Sequence, residues 1–183
     1  MNRSIICSDG SAVVANNSFK GFGGLGVYMK HKGREKFLSK GFKNTKTGRM
    51  EIMALLYGLL SIPLSDCNGS QRSFFDIYSD SEYVIKSFTE NRLNRWIAAG
   101  WKNTSGDVAN RDLWERVLSA LKDRPNLTIE FHHIKGHLID EAKAKNPQLL
   151  QEYLKREEVV GNYIADKLAD YKRHKTHEID QIL

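Results

Sequence analysis

The sequence SIICSDGS (residues 4–11) decides how the fold begins, because an apolar run ends there in an aspartate followed by a glycine. The first part of it, Ser4 to Ser8, predicts a buried strand. Two further strands are predicted at 22–29 and 36–42, and they form a hairpin through a turn at 31–34. The chain is therefore expected to open with three antiparallel strands.

A strand–helix–strand crossover follows this hairpin. A helix is predicted from Thr47 to Ile62, where Pro63 stops it, and a mainly apolar and aromatic strand from Phe74 to Tyr78. Such a crossover makes the first and fourth strands parallel. The rest of the chain is predicted as three helices, a fifth strand, a polar helical stretch and a last helix, at 81–90, 92–99, 110–122, 127–134, 140–158 and 159–175. This order predicts an α/β layer architecture with helices on a mixed sheet.

Length and composition favour one domain with a polyanionic partner. The 183 residues are 40% hydrophobic and 27% charged, which suits one core and is too little for two ordinary domains. Lys and Arg outnumber Asp and Glu by 28 to 22, a net charge of +6 that favours polyanions. We expect a soluble protein, because no segment has the pattern of a signal peptide or the length of a membrane span. Cys7 and Cys67 match neither a disulfide framework nor a zinc-ligand spacing, which favours a reducing, cytoplasmic setting.

Two acids directly follow predicted strands. Asp9 follows the first strand, and Asp80 follows the fourth and precedes a helix. Ligands bind at such strand ends in open α/β sheets, so the two carboxylates are expected side by side if the strands are adjacent. The alternatives are a turn residue at Asp9 and a helix N-cap at Asp80.

Two more acids lie on predicted helices. Glu51 is the one charged residue between 50 and 62 and lies on an apolar helix face, so it needs a cation, either a metal ion or a basic group such as Arg49. Asp166 lies early in the last helix, where the helix dipole favours an anion; a solvated helix acid is the alternative. Carboxylates are hard ligands of the kind that Mg²⁺ and Mn²⁺ prefer, and no Cys/His cluster indicates zinc. The four acids favour metal-assisted phosphoryl chemistry.

A set of short motifs carries these acids along the chain. In order they are Ser8-Asp9-Gly10-Ser11, Arg49-Met50-Glu51, Ser79-Asp80-Ser81-Glu82-Tyr83-Val84, Lys135-Gly136-His137 and Asn162-(x3)-Asp166-Lys167-Leu168-Ala169. Together they resemble type 1 ribonuclease H, and the similarity extends to about Tyr171. The resemblance implies a ribonuclease H-like fold, with a five-stranded mixed sheet of three antiparallel and then two parallel strands and helices on both faces. It also implies a single domain over residues 1–183.

The same resemblance implies an activity. Members of the family are endonucleases that hydrolyse the RNA strand of RNA·DNA hybrids by a two-metal-ion mechanism and leave 5′-phosphate and 3′-hydroxyl ends. Asp9, Glu51, Asp80 and Asp166 would be catalytic metal ligands for two Mg²⁺ ions, with Mn²⁺ as a substitute. His137 would be a mobile catalytic residue that helps proton transfer or product release. A monomer is expected.

A basic stretch at 92–111 is the expected surface for the DNA strand. It contains four cations and one acid, a net charge of +3, with two tryptophans between them. It resembles the basic protrusion with which the family grips phosphates, a role suited to long cations beside aromatic surfaces. The expected contacts are Arg92, Arg95, Trp96, Trp101 and Lys102. The alternative is a solvated helix whose tryptophans pack into the core.

This chain departs from the family pattern in other predicted contacts to the hybrid. Paired asparagines that are common before Arg-Met-Glu are replaced, a common glutamine is replaced by glutamate, and the loop after the first strand is rearranged. The expected substrate contacts at these places are Asn16, Asn17, Thr47, Gly48, Arg49 and Glu82. These changes affect minor-groove recognition and leave the metal ligands intact.

An insertion at about 139–158 is the longest departure from the family. It mixes acids and bases and contains a polar helix predicted from Pro147, with Leu149, Leu150 and Leu154 along one side. This pattern predicts a small helix laid over the domain surface with its apolar side covered. We expect it to flank the mouth of the site without supplying a catalytic group.

Two other classes of protein stay open from the sequence. Another nuclease of the same broad fold, such as a junction resolvase or an integrase-like nuclease, would share the carboxylates, although the Lys-Gly-His motif and the tryptophan-rich basic stretch argue against it. A catalytically silent nucleic-acid-binding module would have lost its metal ligands, whereas all four acids are present here.

Overall fold

A mixed β-sheet forms the centre of the computed structural model, which describes residues 3–14, 21–67 and 72–175 and the backbone of 178–179. The strands are β1 (Ser4–Val14), β2 (Gly21–His31), β3 (Arg34–Thr45), β4 (Ser73–Ser79), β5 (Lys102–Asn103), β6 (Gly106–Asp107), β7 (Leu127–His133) and β8 (Glu178–Ile179). The sheet has the order β7-β4-β1-β2-β3-β8, and β5 pairs separately with β6. β1, β2 and β3 are antiparallel, whereas β4 runs parallel to β1 and β7. The predicted five-stranded mixed sheet is confirmed, and the two-residue β8 extends it beyond β3.

Helices cover both faces of this sheet, as predicted. Within the described ranges they are α1 (Thr47–Leu60), α2 (Glu82–Thr89), α3 (Arg92–Ala98), α4 (Arg111–Lys122), α5 (Leu138–Lys145), α6 (Pro147–Tyr153) and α7 (Glu157–Arg173), with a 3₁₀ turn at Leu64–Asp66. α1 packs against one face, where Gly58 meets Ile6 and Val27, and α7 packs against the other, over Gly24 and Gly26. Of these helices, none is long and apolar enough to cross a membrane.

The main core lies between α1 and the sheet. Ile6, Leu25 and Ile77 contribute to it from three neighbouring strands and are fully buried. α1 is buried on most of its circumference, because Leu113 and Trp114 of α4 belong to the same cluster. A helix that is buried on most sides has few polar positions, which explains why Glu51 is the one charged residue between 50 and 62.

β1 is longer than the sequence predicts. It continues past the predicted end at Ser8 because it stays paired with β2 as far as Val14. Its parallel pairing with β4 stops earlier, at Cys7 opposite Tyr78. Asp9 therefore lies inside a strand, and the alternative of a turn residue is wrong. Asp9 nevertheless lies just beyond the last residue of β1 that pairs with β4, and Asp80 directly follows β4.

The predicted insertion folds as two short helices, α5 and α6, next to α7. α6 begins at Pro147 as predicted. Leu154 is 49% exposed, so the predicted leucine stripe is wrong at this position, and Tyr153 is covered instead. Leu150 and Tyr153 pack against a small buried cluster formed by Ile134, Ile139 and Val159. The insertion thus has its own small apolar contact with the domain.

Candidate active site

Two glycines allow helices α1 and α7 to approach β1 around Asp9. A Cβ atom added at Gly10 would lie 2.2 Å from the backbone nitrogen of Glu51. One added at Gly26, which is paired with Asp9 across the two strands, would lie 2.0 Å from the carbonyl oxygen of Ala165. Both contacts are with backbone atoms, so a larger residue would push α1 away from β1 at Gly10 or α7 away from β2 at Gly26. The glycines therefore bring the acids carried by these helices close to the strand.

Asp9 is buried among other carboxylates. It is 8% exposed, and its Oδ1 accepts a hydrogen bond of 2.8 Å from the backbone nitrogen of Gly10. The pKa of Asp9 is raised to about 8. Burial is the largest cause, and the negative charges of Asp80, Asp166 and Glu51 contribute to the rise. The structure thus brings all four predicted metal-ligand acids into one electrostatic cluster.

Asp80 and Glu51 meet next to the start of α2. Burial raises the pKa of Asp80, and a hydrogen bond with Asp9 acts in the opposite direction. Glu51 also has a raised pKa, mainly through burial, although its Oε2 accepts a 2.7 Å hydrogen bond from Ser81 Oγ. Ser81 Oγ in turn accepts from the nitrogen of Val84, so Ser81 is the N-cap of α2. The alternative of Asp80 as the helix cap is therefore wrong.

Asp166 and His137 lie on the other side of the site. Asp166 lies in the middle of α7, not early in the helix as predicted, and it is 7% exposed, so the alternative of a solvated acid is wrong as well. Its Oδ2 accepts no hydrogen bond within the described part of the chain. His137 directly precedes α5 with a left-handed φ of 58°, and its side chain is 63% exposed. The two are 3.7 Å apart, from Nδ1 to Oδ2. An exposed imidazole thus borders a buried carboxylate.

The predicted hybrid contacts at 47–49 and 82 lie in the first turns of α1 and α2. Thr47 is exposed, and Gly48 and Arg49 are half-buried. Arg49 forms a bidentate pair with Asp112 at 2.9 and 3.0 Å, which ties α1 to α4. Glu82 is exposed and pairs with Lys86 at 2.6 Å. Asn16 and Asn17 lie outside the described residues.

The predicted basic stretch combines exposed cations with covered tryptophans. Arg95 and Lys102 are exposed, and Arg92 is half-buried and pairs with Glu90 at 2.7 Å. Trp101 is 9% exposed and belongs to the main core, and Trp96 packs against that core. Arg95 and Lys102 therefore face solvent, whereas the two tryptophans pack against the core, as the alternative predicted.

One acid near the site was missed by sequence reasoning. Asp140, in the first turn of α5, has a carboxylate oxygen within 4.8 Å of ligand atoms of both His137 and Asp166. Its position three residues after His137, in the first turn of a helix, is the signal that could have found it. Another group with this spacing, Asp76, Glu130 and His132, lies on β4 and β7 away from the acids described above.

Known proteins share this fold and this sequence pattern. The model of the RNase H family matches residues 1–173. The Ribonuclease H of Desulforamulus reducens is 36% identical over 118 residues, which cover 64% of this chain and 68% of that protein. LC9-RNase H1, a type 1 RNase H with the type 2 active-site motif, has a TM-score of 0.65 at 18% identity, over 97% of this chain and 75% of that one. LC11-RNase H1, solved in complex with RNA/DNA hybrid, has a TM-score of 0.56 at 16% identity, over 94% and 98%.

These findings place the chain in the class of metal-dependent nucleases with a ribonuclease H fold. The chain belongs to the RNase H family. The predicted resemblance is thereby confirmed, and with it the prediction of a nuclease.

Proposed function

We propose that this chain hydrolyses the RNA strand of RNA·DNA hybrids as a single-domain endonuclease, by a two-metal-ion mechanism that leaves 5′-phosphate and 3′-hydroxyl ends. The observation that carries the proposal is the buried cluster of Asp9, Glu51, Asp80 and Asp166, since carboxylates held this close need cations. The hybrid bound to LC11-RNase H1, which shares the fold, supports the choice of substrate.

The oxygen atoms of this cluster fit a hard divalent cation. Burial and neighbouring charges raise the pKa of Asp9, and the buried Oδ2 of Asp166 accepts no hydrogen bond in the described ranges, although Lys167 Nζ lies 3.1 Å from it. A divalent cation beside these oxygens would offset the burial and repulsion that raise the pKa of Asp9. The proposed ligands of Mg²⁺, with Mn²⁺ as a substitute, are Asp9, Glu51, Asp80 and Asp166. Such ions, when bound, supply an activated water and stabilise charge on the leaving oxygen.

His137 is proposed to move a proton between the site and solvent. An imidazole can take and return a proton near neutral pH, which suits a general acid or base. The exposed ring lies 3.7 Å from the Asp166 carboxylate, so it can reach the site and also contact water. Its Nδ1 lies on the side of Asp166, so Nε2 is the ring nitrogen proposed to carry the proton.

Binding of the hybrid is proposed on the surface that surrounds the acids. Exposed cations attract the phosphates of the DNA strand, and residues at the start of α1 and α2 face the minor groove, where RNA presents its 2′-hydroxyls. The proposed contacts with described positions are Thr47, Gly48, Arg49, Glu82, Arg92, Arg95 and Lys102. Trp96 and Trp101 pack beneath this surface.

A cleavage assay with matched substrates tests this function. Labelled RNA·DNA hybrid, duplex RNA and duplex DNA are each incubated with the chain in Mg²⁺ and in EDTA. We expect the RNA strand of the hybrid to be cut in Mg²⁺, and treatment of the products with a phosphatase and a ligase to reveal 5′-phosphate and 3′-hydroxyl ends. Preferred cutting of duplex DNA, or cutting in EDTA, would refute the proposal.

Two variants assign the chemistry to the acids. Asp80→Asn should remove most cleavage and leave the circular dichroism spectrum unchanged, because it deletes the charge of one ligand and keeps its shape. Asp123→Asn is the matched control, since Asp123 is an exposed acid at the end of α4. Near-normal cleavage by Asp80→Asn in Mg²⁺ would show that the metal site is elsewhere.

A further inference from the structure

Lys167 connects the candidate active site to the insertion. Its Nζ lies 2.6 Å from Asp140 Oδ2 and 3.1 Å from Asp166 Oδ2. Asp166 belongs to α7, whereas Asp140 lies in the first turn of α5. One ammonium group thus neutralises both an acid proposed to bind metal and an acid of the insertion.

Other contacts fix α5 where Asp140 can reach this lysine. Lys143 donates a 2.9 Å hydrogen bond to the hydroxyl of Tyr163 on α7. Lys135, just before α5, pairs with Glu141 at 2.7 Å. The apolar side of α5 is buried through Ile139 and Ala142. Asp140 is therefore held in place by its helix and is not a mobile surface acid.

The Asp166 oxygen next to Lys167 is buried and accepts no hydrogen bond among the described residues. The 3.1 Å contact is an ion pair without hydrogen-bond geometry, so Oδ2 accepts no hydrogen bond from the described residues. Asn162, one turn earlier on α7 and 3% exposed, likewise has a side-chain oxygen without a hydrogen-bond partner among them. Both residues line one cavity. Lys167 Nζ thus lies beside the Asp166 oxygen and donates its hydrogen bond to Asp140.

We propose that Asp140 is a positioning residue that holds Lys167 aside when a divalent cation binds to Asp166. This inference rests on the proposed role of Asp166 as a metal ligand. A cation at Asp166 repels the nearby ammonium group, and the flexible stem of a lysine lets that group move. Asp140 gives Lys167 an acceptor that it keeps after the cation arrives. Without Asp140, the lysine would compete with the cation for Asp166 and would lose its partner when the cation won.

A double-mutant cycle read by calorimetry tests this role. Mn²⁺ is titrated into the metal-free full chain of the wild type, Asp140→Asn, Lys167→Met and the double variant. Asp140→Asn should weaken Mn²⁺ binding about twofold to fivefold, the range expected for one exposed ion pair. Lys167→Met should bind at least as tightly as the wild type. In the Lys167→Met background, Asp140→Asn should have no further effect, because its action passes through the lysine.

Two controls separate positioning from general effects. Glu141→Gln removes the same charge from the neighbouring residue of α5, whose partner is Lys135, and should leave Mn²⁺ binding unchanged. Asp140→Glu should restore binding because it keeps an acceptor for the lysine. Thermal unfolding in EDTA identifies a variant that has not folded, and Lys167→Gln then replaces Lys167→Met.

The outcomes distinguish this inference from the proposed function. An equal loss on Asp140→Asn with and without Lys167 would mean that Asp140 acts on the cation directly, which overturns the positioning role. Unchanged binding by Asp140→Asn would overturn it as well. Both results leave a wild type that binds Mn²⁺ and cuts the hybrid, whereas a wild type that does neither would refute the proposed function itself.

Discussion

Replacing Asp9 by Asn should stabilise the metal-free protein at alkaline pH and much less at acid pH. In the folded chain the pKa of Asp9 is raised to about 8 from an ordinary value of 3.8, mainly by burial. At pH values between these two pKa values, Asp9 has lost its proton in the unfolded chain and still carries it in the folded chain. The free energy of unfolding therefore falls as the pH rises from about 4 to about 8. Asn carries no charge at any pH and keeps an acceptor oxygen for the backbone nitrogen of Gly10.

The difference between the two pKa values sets the upper limit of this effect. It is roughly 4 pH units, which corresponds to about 5 to 6 kcal/mol at about 1.36 kcal/mol per unit. The repulsion is shared with Asp80, so a proton on either carboxyl relieves both, and the measured effect should be smaller. We expect Asp9→Asn to raise the free energy of unfolding by about 2 to 3 kcal/mol at pH 9, and by less than half of that at pH 5.

Urea unfolding in EDTA, followed by circular dichroism at pH 5 and pH 9, measures this difference. Asp123→Asn serves as the control and should show no pH-dependent gain. Adding Mg²⁺ at pH 9 should stabilise the wild type more than Asp9→Asn, because the cation replaces the missing proton. An equal gain at both pH values, or a loss of stability at pH 9, would refute the assignment of Asp9 to a crowded, buried carboxylate cluster.

Three further changes test other parts of the molecule. Replacing Arg92, Arg95 and Lys102 together by Gln should lower the slope of log affinity against log salt concentration by roughly 0.9 per lost phosphate contact. Fluorescence anisotropy with labelled hybrid in EDTA measures this slope, and an unchanged slope would exclude phosphate contacts. His137→Ala should lower turnover by about 10²-fold and leave the Mn²⁺ isotherm unchanged, and normal turnover would remove His137 from the mechanism. Gly26→Ala should cost about 1 to 3 kcal/mol in urea unfolding and reduce cleavage, because its methyl group would displace α7; a neutral result would contradict the close approach.

The long elements could be predicted because hydrophobic periodicity is a local property. α1 was predicted at 47–62 and ends at Leu60, and β4 was predicted at 74–78 and spans Ser73–Ser79. The β5–β6 ribbon could not be predicted, because two-residue strands have no period to detect. The extension of β1 to Val14 was missed for another reason, since it follows from pairing with β2 and not from burial of apolar residues.

The candidate site was predictable where local motifs carry it. Asp9, Asp80 and Asp166 lie in short motifs, and the structure brings them together as expected. Asp140 lies outside those motifs, and its contact with Lys167 depends on how α5 docks on α7. Leu154 shows the same limit, since helical spacing alone does not determine which side of a short helix meets the domain.

Ser81 connects the start of α2 to Glu51, a proposed metal ligand. These two contacts restrict which amino acids can replace Ser81 during evolution. One hydroxyl group accepts from the nitrogen of Val84 and donates to Glu51. Aspartate is as good an N-cap as serine, but here it would place a second negative charge against Glu51. Threonine keeps both hydrogen bonds. Among relatives with an acid at position 51, position 81 should therefore vary between Ser and Thr and exclude Asp, because selection for folding and selection for catalysis act on the same atom.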